Sequence, residues 1–133
     1  MKLGWGSDDA TFRQLLTSAI MPTATREQTD AFNELQLLSA SANCAVRYLD
    51  TVADFDVRDL LPKVQTPTLV MHVRDDLRVP IALGRELAAG IANARFVVLP
   101  GKNHIILARD PGHTQFLREL KSFIGPSGVR MPN

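Results

Sequence analysis

Pro67-Thr68-Leu69-Val70-Met71-His72-Val73-Arg74-Asp75-Asp76 and, further on, Arg95-Phe96-Val97-Val98-Leu99-Pro100-Gly101-Lys102-Asn103-His104 decide how this chain is read. Thr68 to Val73 is an almost unbroken apolar run of β-formers between a proline and a charged turn. That is the pattern of a strand buried on both faces in a parallel sheet. Arg95 to Leu99 repeats it, closed by Pro100-Gly101, and Pro80 to about Ile91 shows helical spacing between the two. The stretch therefore predicts a βαβ unit with a right-handed crossover. Asp75 and Asp76 follow the first strand and His104 follows the second. Open parallel sheets place their chemistry at the carboxyl ends of the strands.

Working outward, the N-terminal half is helical. Ser7 to Asp9 offers N-caps, and Phe12, Leu15, Leu16, Ala19 and Ile20 recur at helical spacing until Pro22. Thr25-Arg26-Glu27-Gln28 is a capping box opening a helix with Ala31, Phe32, Leu35 and Leu38 inward. A third helix is expected over 42–53 with Ala45, Leu49, Val52 and Ala53 on one face, then a short helix from Val57 to Leu61 ended by Pro62. After His104, Asp110 and Pro111 supply an N-cap and a first-turn proline. Phe116, Leu117, Leu120, Phe123 and Ile124 make a last amphipathic helix.

The chain has 133 residues, 45% hydrophobic and 22% charged, which bounds it to one globular domain or part of one. A net charge of +1 with scattered basic residues gives no nucleic-acid footprint. No apolar run reaches the length of a membrane span, and the N-terminus lacks a signal-peptide h-region. Cys44 is the single cysteine, which fits a reducing, cytoplasmic setting.

A carboxylate that orients an imidazole is the acid–base part of nucleophile–His–Asp systems. The alternative for Asp75 and Asp76 is a solvated turn capping the next helix, and for His104 an exposed loop histidine. His72 falls inside the first strand, and no close-spaced ligand pair joins it to Asp76 and His104 as a metal site. No metal or cofactor is expected. Lys102 and Asn103 flank the histidine as ligand contacts or as plain exposed loop polarity, and His113 reads as surface.

With these residues in view, the chain resembles the α/β-hydrolases. Thr66 to His72, Asp75-Asp76-Leu77-Arg78-Val79-Pro80, Gly84 to Ala89, Ala94 to His104 and Asp110-Pro111 match, in order, the family's penultimate strand through its closing helix. The resemblance implies that Asp76, followed four residues later by Pro80, is the catalytic acid. It implies likewise that His104, in the Gly-x-x-His turn from Gly101, is the catalytic histidine. It also implies a fold class: an α/β βαβ unit with two parallel strands and surrounding helices, an incomplete α/β-hydrolase sheet preceded by a helical cap-like segment. On that reading residues 1–64 are cap-like, 65–124 are the C-terminal part of the hydrolase domain, and 125–133 are a flexible tail. The implied substrate is a small ester or related acyl compound.

The departures are specific. Valine stands at 73, where family members often have glycine. The nucleophile elbow Gly-x-Ser-x-Gly is absent: Ser127, in Gly125-Pro126-Ser127-Gly128-Val129, lacks the last glycine, and Ser7 after Trp5-Gly6 also fails. No His-Gly oxyanion motif occurs. Cys44, inside a predicted helix, reads as a buried inert thiol rather than a substitute nucleophile. Two apolar parallel strands also make a poor sheet, and an apolar edge is a pairing template. Two functions follow as expectations: an acid–base half inactive alone, which pairs through its strand edge with an N-terminal half or another copy, or a non-catalytic interaction or ligand-binding module derived from the same fold.

Overall fold

The computed structural model describes residues 11–125, without the side chains of Phe12, Ala42 and Val46. The expectations for Trp5, for Ser7 to Asp9, for Ser127 and for the tail from 126 onward lie outside the described residues. The chain divides into two compact units between Asp56 and Val57.

The first unit holds α1 (Thr11–Ile20), α2 (Arg26–Ser39) and α3 (Ala42–Ala53). The capping box forms as the sequence predicts: the Gln28 amide donates to Thr25 Oγ1 at 3.3 Å and the Thr25 amide to Gln28 Oε1 at 2.9 Å. Ser41 starts α3 by accepting from the Cys44 amide at 3.3 Å. Where α1 packs on α2, the expected face is corrected. Leu35 and Leu38 are 58% and 77% exposed and Ala31 is exposed too, whereas Thr17 and Gln36 are buried. The Thr17 hydroxyl donates to Asn33 Oδ1 at 2.6 Å and accepts from Gln36 Nε2 at 2.8 Å. A buried hydroxyl requires polar partners, so α2 turns its amides, not its leucines, toward Thr17. Cys44 is exposed rather than buried.

The second unit begins with a 3₁₀ turn, Arg58–Lys63, in place of a short helix stopped before Pro62. Leu60 N–H to Val57 O and Val64 N–H to Leu61 O bond its two ends, on either side of Pro62, which has no N–H to donate. Then follow β1 (Thr68–Val73), α4 (Ile81–Gly90), β2 (Ala94–Leu99) and α5 (His113–Ile124). The strands pair in parallel, from Thr68 opposite Ala94 to Val73 opposite Leu99, with α4 as the crossover. α4 packs on both strands and on the 3₁₀ turn, and α5 packs on β2. Leu61, Val70, Val73, Ile91 and Leu99 form the buried apolar core, while Leu69 and Met71 are half-buried. No helix among the described residues is long and apolar enough to cross a membrane.

Candidate functional site

The parallel ladder continues past the strand ends. The Arg74 N–H donates to the Leu99 carbonyl at 2.9 Å and the Asp75 N–H to the Gly101 carbonyl at 3.1 Å. This stitches the acidic turn to the histidine loop. Gly101 has φ 141°, a conformation that side chains disfavour, and it redirects the chain after β2. Val73 lies over it, its Cγ1 3.5 Å from where a Gly101 Cβ would stand. With valine at 73, the turn still delivers Asp76 to the site.

His104 Nδ1 lies 2.7 Å from Asp76 Oδ2 across 28 residues of sequence. The other carboxylate oxygen, Oδ1, accepts from the Arg78 amide at 2.7 Å and the Val79 amide at 3.0 Å. The carboxylate is 3% exposed and the imidazole 41%, so a nearly dry acceptor holds a ring that opens outward. Burial raises the Asp76 pKa, but the His104 hydrogen bond, the Val79 and Arg78 amides and the His104 charge outweigh it and hold the carboxyl below its ordinary value. An ionised carboxylate only accepts, so Nδ1 carries the proton and the Nε2 lone pair is left for base chemistry. Asp75 is exposed and gives its amide to the ladder. Asp76 is not the solvated helix cap of the alternative reading, since its carboxylate is buried and α4 has no side-chain cap; Oδ1 closes the turn while Oδ2 takes the histidine.

His72 was legible only as a polar side chain within an apolar strand, and the structure gives it a definite place. Its Nε2 lies 2.9 Å from the Val79 carbonyl, which fixes the proton on Nε2 because a carbonyl only accepts. Nε2 is 3.8 Å from Asp76 Oδ2, beyond hydrogen-bond length. His72 therefore grips the same residue, Val79, whose amide donates to Asp76.

The histidine loop corrects two expectations. Asp110 does not cap α5, whose N-cap is Gly112 with no side-chain bond. Its carboxylate accepts from Asn103 Nδ2 at 2.9 and 3.0 Å and from the Leu107 amide at 2.8 Å. Asn103 is correspondingly 1% exposed rather than a surface polar group. Lys102 is exposed, and His113 is half-buried at the first position of α5. Beside the pair lies a cleft of about 300 Å³ with apolar walls from Met71, Val73, Leu99, Ile106 and Phe116, and with His72, Asp76 and His104 as its polar groups. That volume is at the small end of ligand sites.

No protein-family model matches the chain. A putative carbamate hydrolase RutD from Pseudomonas savastanoi is 37% identical over 79 residues, 59% of this chain and 30% of that protein. The non-heme chloroperoxidase CPO-A1 from Kitasatospora aureofaciens is 39% identical over 80 residues, 59% of this chain and 29% of that protein. The chain thus spans less than a third of the length of these curated relatives. Among solved structures, the esterase RhEst1 from Rhodococcus sp. aligns with TM-score 0.70 and 23% identity over 92% of this chain and 45% of its own. The esterase EaEST from Exiguobacterium antarcticum aligns with TM-score 0.63 and 23% identity over 87% and 40%. The parallel β1–α4–β2 unit, the α4 and α5 packing on it and these likenesses lead to one conclusion: the chain has the α/β-hydrolase fold and spans a part of it.

Proposed function

We propose that this chain is the acid–base half of a serine-type hydrolase acting on a small ester or related acyl compound, carbamates included. His104 is the general base and then the general acid, and Asp76 holds its Nδ1–H tautomer and stabilises the charged ring. The carrying observation is the 2.7 Å contact between His104 Nδ1 and a buried Asp76 carboxylate that two backbone amides already orient. The likeness to a putative carbamate hydrolase in sequence and to esterases in fold supports the substrate class. The nucleophile and oxyanion donors come from an N-terminal half that pairs along β1, because the sequence has no Gly-x-Ser-x-Gly elbow. Alone, the chain is catalytically weak, since a triad without its nucleophile retains little activity.

The test is hydrolysis of p-nitrophenyl acetate and butyrate by the chain alone and mixed with an esterase N-terminal half carrying the serine. Activity is expected in the mixture, falling on the order of 10⁴-fold for Asp76→Asn and lost with His104→Ala. Activity in the mixture that ignores both substitutions overturns the reading.

A second reading, a non-catalytic interaction module, draws on exposed Leu77 and Ile105 beside the pair. Under it, the mixture shows no hydrolysis, and sedimentation shows the chain associating with itself through the β1 edge.

A further inference from the structure

We propose that the Asn103–Asp110 pair is the device that positions His104, holding its imidazole against Asp76. The inference rests on the reading of His104 and Asp76 as the catalytic pair and adds a positioning residue pair to it.

The argument starts from what holds the imidazole. His104 is 41% exposed, and among the described residues its ring is bonded to Asp76. One bond leaves a ring free to swing unless the backbone beneath it is fixed. The residue immediately before it supplies that fixture. Asn103 is 1% exposed and its Nδ2 sits 2.9 and 3.0 Å from the two oxygens of Asp110. Asp110 Oδ2 also accepts from the Leu107 amide at 2.8 Å. The backbone adds Asp110 N–H to Leu107 O at 2.9 Å and His113 N–H to Asp110 O at 3.0 Å. The loop from 103 to 110 is thus closed at its neck by a buried amide on a carboxylate, and its far side is tied to the start of α5. Charge-assisted bonds of this kind are strong and directional, and a buried amide stripped of its acceptor is costly. The loop therefore has one seat, and His104 rides on the peptide next to it.

The measurement is the imidazole ¹H–¹⁵N correlation spectrum of the full chain at pH 8, with backbone amide signals of β1 and β2 as the folding control. Wild type is expected to show the Nδ1–H form of His104. Asn103→Ala, Asn103→Gln and Asp110→Asn are each expected to lose that signature toward the Nε2–H form of an untethered ring. Asn103→Asp combined with Asp110→Asn, which restores an amide–carboxylate pair in reverse, is expected to regain it. A merely stabilising pair would change the unfolding midpoint and leave the tautomer alone. The inference is overturned if a single variant with intact β1 and β2 signals keeps the Nδ1–H form, or if the folded reversed pair fails to regain it. Absence of the Nδ1–H form in wild type overturns the acid–base reading itself, so the two failures are told apart.

Discussion

The imidazole of His72 occupies the space that Gly84 leaves open: a Cβ on Gly84 would stand 2.5 Å from His72 Nδ1 and 3.0 Å from its Cγ. Glycine inside a helix costs about 1 kcal/mol against alanine, so Gly84→Ala ought to stabilise α4. The contact reverses that sign. We expect Gly84→Ala to lose about 1–3 kcal/mol in urea unfolding. His72→Ala in the same chain should restore at least part of it, a coupling that a double-mutant cycle measures.

Acid should act on this chain through Asp76. Its folded pKa lies below the ordinary carboxylate value, because the His104 bond and the two turn amides outweigh burial. Its stabilisation is therefore complete above about pH 4 and is lost as pH falls through the lower, folded value. Unfolding followed from pH 6 to pH 2 should show wild type losing stability more steeply than Asp76→Asn in that acid window. The two curves should converge at its lower end.

Gly101 offers a test of backbone against packing. The neighbours a Cβ would meet there, Val73 Cγ1 at 3.5 Å and Pro111 Cγ at 3.9 Å, are at ordinary contact distance. The φ of 141° is what an alanine cannot readily take. Gly101→Ala should cost about 1–3 kcal/mol, and trimming Val73 to alanine in the same chain should recover none of it.

The ion pair from Arg95 to Glu119, 2.9 Å long, joins β2 to α5 at a half-exposed arginine. Pairs of this kind are worth about 1 kcal/mol or less. Arg95→Ala should shift the unfolding midpoint little, and less still at high salt.

The βαβ unit was legible because its strands are dense in β-formers and its turns are marked by Pro67, Pro80 and Pro100-Gly101. The resemblance to the α/β-hydrolases, through Pro80 and the turn from Gly101, also implied Asp76 and His104, the two groups found in contact. What escaped were residues whose partners are distant in sequence or lie on the backbone. Asp110 before a proline has the pattern of a helix cap whether or not Asn103 claims its carboxylate. Asn103 has the composition of an exposed loop, and nothing local marks it as buried. His72 is fixed by a carbonyl, which has no side-chain signature. On α2, helical spacing shows that Leu35 and Leu38 share a stripe but not that Thr17 faces Gln36.

The bonds from Arg74 to Leu99 and from Asp75 to Gly101 carry a consequence for how such a site is inherited. They set the separation of Asp76 and His104 within one contiguous run, from Thr68 to Asp110. The pair is built as a cassette, and a chain starting at Arg58 is expected to keep the His104–Asp76 contact. On the proposed reading, the relay between acid and base is a property of this one stretch of chain, separable from whatever supplies the nucleophile.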